Sequence, residues 1–411
     1  MKLKLLLLMA GIATIICAIY IAKDASIPQS TRQDEPFVEQ QDTQTIGYEN
    51  GKKIFDIRIQ RIKKNKYGHL IKGEAILDGH VYNHNGNVLI RALSGDYAHV
   101  NTAMKSIIIT SNIRAIIDPS TTTQSVRING QEFRYNHNNK KARFHDQLTL
   151  SFSGISLNAT ECIYVNKSET IEFPRGFMLT TDQSQTSAPK GIMAIRESTI
   201  DASPNIRTVY RATPKKTDSS VIQTLLKNST TITSDQLHIN HKNEQKPKVL
   251  YTVNAMASQP GKIIKSDTID LDFKKQLFRA SANVELTFDS LDWVIQKRQP
   301  ISNAMIRKML KKTTLMLSDM AWYDQKKNHV ILKENVTLKQ TPFKLKCDEL
   351  RYDITKKIIE LKGNVKITNL GIPILNAQHV IIDIENEQFN ITPSNTINEI
   401  LIELTTGRAT P

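Results

Sequence analysis

"LKCDELRYDITKKIIELKGNVKI", Leu345 to Ile367, decides the fold, because "LSDMAWYDQKKNHVILKENVTL", Leu317 to Leu338, says nearly the same thing 29 residues earlier. Asp319 aligns with Asp348, Tyr323-Asp324 with Tyr352-Asp353, Lys326-Lys327-Asn328 with Thr355-Lys356-Lys357, and Asn335-Val336 with Asn364-Val365. A weaker copy, "LNAQHVIIDIENEQFNI", starts at Leu375, with Gln378 in place of Asp348 and Asp383 in place of Asp353. Upstream, "IKSDTIDLDFKKQLFRASANVEL" carries Asp267, Asp272, Lys274-Lys275 and Asn283-Val284 in the same order, and "ITSDQLHINHKNEQKPKVL" is a degenerate copy around Asp235. Fainter ones begin at Ile128 and Leu157. A unit this short cannot bury its own apolar face, so copies must stack.

Within each copy apolar and polar residues alternate. Leu345/Cys347, Leu350/Tyr352, Ile359/Leu361, Val365/Ile367 and Val380/Ile382/Ile384 keep a period of two between short polar turns. That is the pattern of half-buried antiparallel strands, two or three per unit. The Asp closing each Tyr-Asp pair suits a turn, and the Lys-rich tip after it suits solvent. Asn364, following Gly363, suits left-handed backbone angles that a β-branched residue resists.

The chain has 411 residues, enough for two or three domains, with 39% hydrophobic and 6% aromatic residues, ordinary for a thin extended β protein. A net charge of +15 predicts an anionic partner. Nucleic acid is disfavoured as that partner: the charge is spread along the chain and aromatics do not interleave with basic residues as stacking platforms.

The N-terminus points to a membrane. Residues 1–4 form a cytoplasmic tip with Lys2 and Lys4, and Leu5 to Ala22 are 18 uncharged residues, followed by Lys23 and Asp24. A stretch of that length spans a bilayer as a helix, and the preceding lysines keep its start cytoplasmic. This predicts a single-pass inner-membrane anchor with the remaining domains in the periplasm. The alternative is a cleaved signal peptide, for which cutting after Ala25 would put Lys23 at a position that wants a small residue. Residues 23–50, polar and without apolar period, read as a flexible stalk; 51–181 as a first β domain; 182–230, where prolines interrupt the alternation, as a linker region; 231–406 as a β-repeat domain. A helix-period insertion near 299–312 reads as a capping helix, and "TINEILIEL" from Thr396 as a last strand.

No catalytic constellation is present. The histidines are scattered, and no metal-ligand spacing, nucleophile elbow, P-loop or dinucleotide fingerprint occurs. The aspartates recur once per repeat, as turn residues do; a catalytic pair occurs once. The chain therefore reads as a non-enzyme with no cofactor and no metal. Cys162 and Cys347, 185 residues apart at apolar positions, read as buried free thiols.

The order Asp-x-x-x-Tyr-Asp, Lys/Asn turn, Gly-Asn-Val-x-Ile in "LKCDELRYDITKKIIELKGNVKITNLGIPILNAQHVIIDIENEQF" resembles the OstA-type repeat of the lipopolysaccharide-transport proteins, and the anchor followed by "GKKIFDIRIQRI" is similar to the LptC branch. The chain's length suggests an LptC-like unit joined to an LptA-like one. The resemblance implies an all-β fold: an N-terminal transmembrane helix followed by one or two twisted antiparallel β-jelly-roll or solenoid domains, whose groove shelters acyl chains. It implies as partners lipopolysaccharide or a related anionic lipid, the LptB/LptF/LptG ABC transporter of the inner membrane, and a periplasmic LptA-like or outer-membrane LptD-like protein joined through strand edges. The expected groove lining is Phe55, Ile57 and Ile59 in the first unit and Leu345, Ile359, Leu361, Val365, Ile367, Val380 and Ile382 in the second. The rival is a structural or adhesive β-solenoid of the envelope in which these positions form a closed core; both demand the same alternation.

Overall fold

The computed structural model describes residues 38–393 except 66, 84, 119–124, 153, 212–227, 243–246, 292–310, 385 and 387. The anchor at 5–22, the first part of the stalk, nearly all of the 299–312 insertion and the strand expected from Thr396 lie outside the described residues. Among the described residues every regular element is a β-strand, all pairing is antiparallel, and no helix is long and apolar enough to cross a membrane.

Eight long strands open the chain: β1 (Val38–Glu49), β2 (Lys52–Lys64), β3 (Leu70–Tyr82), β4 (Val88–Asn101), β5 (Ser106–Ile117), β6 (Val126–Asn136), β7 (Lys141–Phe152) and β8 (Ile155–Val165). Eight short ones follow: β9 (Thr170–Phe173), β10 (Phe177–Thr180), β11 (Ser184–Ala188), β12 (Gly191–Ala194), β13 (Thr199–Ala202), β14 (Ile206–Tyr210), β15 (Thr230–Ser234) and β16 (Gln236–Asn240). The rest are β17 (Lys248–Gln259), β18 (Lys262–Asp272), β19 (Leu277–Phe288), β20 (Thr314–Asp324), β21 (His329–Gln340), β22 (Phe343–Asp353), β23 (Ile358–Asn369), β24 (Ile372–Asp383) and β25 (Gln388–Pro393).

From β1 to β8 and again from β17 to β25 each strand pairs with the next. Between them the sheet divides. The first half of β8, Ser156 to Ala159, pairs with β10 and leads through β11, β14 and β15; its last residues, Ile163 to Val165, pair with β9 and lead through β12, β13 and β16. β17 collects both ribbons, pairing Thr252 and earlier residues with β16 and Met256 to Ser258 with β15.

Two sequence expectations are corrected here. The stalk through residue 50 ends early: Val38–Glu49 is a strand against β2, with Arg58 donating to Asp42 at 2.8 Å. Its inward positions, Thr45 and Gly47, are polar or small, so an apolar period cannot reveal it. The linker expected over 182–230 contains β11 to β14, which continue both ribbons; strands of four or five residues show too few alternations to register as a period.

Six of the long strands, β5, β7, β17, β19, β21 and β23, carry a bulge near their middle. Successive residues with left-handed backbone stand there: Ser111-Asn112, Asp146-Gln147, Val253-Asn254, Ala282-Asn283, Glu334-Asn335 and Gly363-Asn364, with φ between 48° and 69°. The pairing register shifts at the same places, as at a β-bulge, which bends the strand and sharpens its twist. The Asn side chain then donates back to the Asp of the preceding strand: Asn112 to Asp96 at 2.7 Å, Asn254 to Asp235 at 2.8 Å, Asn283 to Asp267 at 2.9 Å, Asn335 to Asp319 at 2.6 Å and Asn364 to Asp348 at 3.0 Å. So the first Asp of each repeat staples the bend, and the second makes the turn. Asp324 accepts the N–H groups of Lys326 and Lys327, and Asp353 those of Thr355 and Lys356.

The bends fold the sheet along a line, and its two halves cover each other. Inward side chains on both sides of the bends belong to one continuous apolar cluster from Ile54 to Ile391. With only strands described, the facing half-sheet is what buries Phe133 and Phe144, whose rings lie 5.0 Å apart. Burying one such side chain contributes roughly 1.5–3 kcal/mol. Cys162 and Cys347 are buried free thiols within it.

Candidate functional site

Inward rows can be followed across the strands by register. On one side of the bends runs Ala257, Ile264, Leu286, Met316, Leu338, Leu345, Ile367, Leu375. On the other side runs Val249, Leu271, Phe278, Tyr323, Val330, Tyr352, Ile359, Ile382. Beside the bends lie Ala280, Ala321, Leu332, Leu361 and Val380 on one side and Val284, Val336, Val365 and Ala377 on the other, all buried.

Exposure along these rows changes with position in the chain. In β2 the inward Phe55, Ile57 and Ile59 are 0% exposed. From β18 onward the residues beside the bend stay closed while many towards the strand ends are half-buried: Ile264, Met316, Leu338, Leu345 and Ile367 in one row, Leu271, Phe278, Tyr323, Val330, Ile359 and Ile382 in the other. The inward face there is closed beside the bends and partly exposed along its two margins, a trough in outline. Leu361, Val365 and Val380 form its floor at 1% exposure, and Leu345, Ile359, Ile367 and Ile382 stand in its walls. The two sets of sequence-chosen residues therefore stand in different surroundings, the first in closed core and the second around the trough.

The rims are basic. On the side of Ile359, successive hairpins carry Lys274-Lys275, Lys326-Lys327 and Lys356-Lys357, two strands or about 10 Å apart from one hairpin to the next. On the other rim Lys339 faces Lys344, and Lys346 faces Lys366, on the outer surface. All four are exposed and lack an acidic partner among the described residues. Like charges placed opposite each other repel, so an anion bridging them is favoured.

The trough's outer wall holds two carboxylates in place. Burial alone pushes Asp353 up, but the N–H groups of Lys356 and Thr355 and His329 Nε2 at 3.2 Å hold it below the usual carboxylate range. Burial likewise acts on Glu360, which Lys362 and His379, both at 3.0 Å, hold low. Burial raises the Tyr352 phenol to about 12, so it stays neutral. Among the described residues no group of three His, Cys, Asp or Glu gathers. Sequence reading missed Phe278, Met316, Tyr323, Val330 and Leu338 as wall residues, although each sits at the repeat position of one that was chosen; carrying the chosen positions back one or two repeats finds them.

No family model matches the chain, and no curated protein matches it. Among solved structures it is similar to LptH, described as the LptA-homologous periplasmic component of the lipopolysaccharide transport device from Pseudomonas aeruginosa, at 13% identity. That likeness covers 33% of this chain and 82% of the other with a TM-score of 0.24, and at that level it fixes neither the fold of the whole chain nor a function.

Proposed function

We propose that the chain is a non-enzymatic lipid carrier, whose β18–β25 trough holds the acyl chains of lipopolysaccharide or a similar anionic glycolipid. The observation that carries this is the passage, within one continuous sheet, from a core with no exposed apolar surface at Phe55, Ile57 and Ile59 to half-open walls at Leu345, Ile359, Ile367 and Ile382. Half-open apolar walls on a dry floor would shelter acyl chains, at roughly 0.8 kcal/mol per buried CH₂. Paired lysines on both rims would then meet the headgroup's phosphates. In this reading the uncharged stretch 5–22 anchors the chain in the inner membrane and the β-sheet extends through the periplasm. Lipid would arrive from an ABC transporter of the LptB/LptF/LptG kind and leave to an LptA-like or LptD-like partner added at a strand edge. A purely structural solenoid is favoured for β1–β8, where the rows are closed.

The test is native mass spectrometry with lipid extraction on the full chain in nanodiscs, purified from a lipopolysaccharide-making host. Co-purified multi-acyl anionic lipid, lost in a folded Ile359→Asp variant, supports the carrier. A lipid-free mass unchanged by added lipopolysaccharide overturns it.

A further inference from the structure

β6 is flanked on both sides by bulged strands, at Ser111-Asn112 in β5 and Asp146-Gln147 in β7, and the pairing register shifts beside Gly130-Gln131 with both neighbours. The outer face of the sheet dips there into a groove of about 600 Å³, within the range of roughly 300–1,000 Å³ typical of ligand sites. Val126, Ile128 and Gly130 of β6 point inward and are buried, so Arg127, Asn129 and Gln131 point outward and are exposed. With them Arg114 from β5 and Gln147 and Ser151 from β7 line the groove. None of its described lining residues belongs to β18–β25, so it is separate from the trough.

The arginines are its unusual members. Arg58, Arg61, Arg91 and Arg134, on β2, β4 and β6, each hold a carboxylate, that of Asp42, Glu74, Asp118 and Glu132 respectively. Arg114 and Arg127, both exposed, hold none among the described residues. Asp96, at the border of the groove, accepts instead from Asn112 at 2.7 Å, and Asp146, next to Gln147 in the chain, forms no ion pair with either arginine. The sequence neighbours outside the described residues, 119–124 and 153, include no Asp or Glu. Arg114 stands opposite Asn129, two positions along β6 from Arg127, so the arginines are diagonal neighbours, about 7–8 Å apart along the backbone. Two unneutralised cations at that spacing repel, and one anion held between them removes the repulsion.

We infer that this groove binds a phosphorylated saccharide, whose phosphate the two guanidiniums take and whose hydroxyls meet the amide and hydroxyl side chains. A guanidinium presents its donors as a planar fork that matches two phosphate oxygens, so a pair of them grips a phosphate from two sides. Asn129, Gln131 and Gln147 each offer donors and an acceptor, and the Ser151 hydroxyl is both, which suits neighbouring sugar hydroxyls. No hydrogen bond from another described residue occupies these four side chains. An uncharged sugar would leave the arginines unneutralised, and a bare anion would leave the amides unused. The site stands whether or not the trough carries a glycolipid.

The experiment is equilibrium dialysis of radiolabelled glucose 1-phosphate against the full chain in phosphatidylcholine nanodiscs. Saturable binding is expected. Arg114→Gln and Arg127→Gln, both at exposed positions, should each weaken it about tenfold with no change in thermal unfolding, and Arg114→Lys, which keeps the charge and loses the fork, should recover only part. Inorganic phosphate and glucose should each compete at least tenfold less well than the sugar phosphate, and Gln131→Ala should weaken the sugar phosphate several-fold while leaving inorganic phosphate unchanged. Ile359→Asp should leave the binding intact, which separates a failure here from a failure of the trough reading. In that variant, displacement by vesicles of phosphatidylcholine and monophosphoryl lipid A at a lower phosphate concentration than soluble glucose 1-phosphate assigns the groove to a glycolipid headgroup; displacement by the soluble compound alone assigns it to a free saccharide. Undiminished binding by the Arg114→Gln, Arg127→Gln double variant, or inorganic phosphate competing as well as the sugar phosphate, overturns the site.

Discussion

Asn364 donates through Nδ2 to the Asp348 carboxylate at 3.0 Å across β22 and β23, and 29 residues earlier Asn335 makes the same bond to Asp319 at 2.6 Å. Both bonds lie on the outside of the bend, and both Asn residues have left-handed backbone, φ 48° and 53°. The repeat thus conserves, within one chain, a device that holds each strand bent. Gly363, φ 69°, packs so closely on Asp348 that a Cβ there would collide with its carboxylate.

Asn364→Val should therefore lower stability by about 1–2 kcal/mol, since a β-branched residue resists the left-handed angle and the bond is lost. Asn364→Gly, which loses only the bond, should cost less. Chemical denaturation midpoints measure both; equal costs would show that backbone angle is not the issue.

The contrast between core and trough predicts opposite outcomes for the same substitution. Ile57→Asp puts a carboxylate where the side chain is 0% exposed and should abolish folding, while Ile359→Asp, in a half-buried wall, should leave a folded β-sheet by circular dichroism and lose bound lipid. The milder Ile57→Ala should cost roughly 2–5 kcal/mol.

Reversing the rim charge with Lys326→Glu, Lys327→Glu and Lys356→Glu together should weaken binding of an anionic glycolipid more than tenfold at low salt without changing thermal stability. The difference from wild type should shrink as ionic strength rises past about 0.15 M, where screening acts over about 8 Å. Titration calorimetry at two salt concentrations decides it.

Burial pushes the His241 imidazole down to about 4 from its ordinary 6.5. The unfolded chain then takes up a proton that the folded one refuses, so stability is whole above about pH 6.5 and falls as pH drops from there towards 4. The loss is roughly 3 kcal/mol. Asp182 and Tyr210 line the same cavity, of about 520 Å³, as His241. Asp353 and Glu360, held below their ordinary values of 3.8 and 4.5, begin to lose their contributions only as the pH falls through those values, at the acid end of the His241 window. His241→Phe should flatten the slope between pH 6.5 and 4; an unchanged slope would place its origin elsewhere.

Much of the molecule was legible in the chain itself. The Tyr-Asp pairs and the lysines after them mark the hairpins because an Asp carboxylate caps turn N–H groups wherever it stands, as at Asp324 and Asp353. Asn364 after Gly363 marked the left-handed site because few other residues tolerate it. β1 was not legible, since Thr45 and Gly47 fill its inward positions without an apolar signal. Neither were β11 to β14, because strands of four or five residues show too few alternations and pairing between strands far apart in sequence has no local signature.

What the sequence by itself determined is therefore the strand, the turn, the bend and the face each side chain takes, all of which depend on residues within a few positions of one another. Phe55 and Ile359 carry the same alternation, yet one is sealed and the other half-open. Only the tertiary structure decided that. Exposure of an inward side chain depends on how close the facing half-sheet comes, and that distance is set by bends and twist summed over many strands.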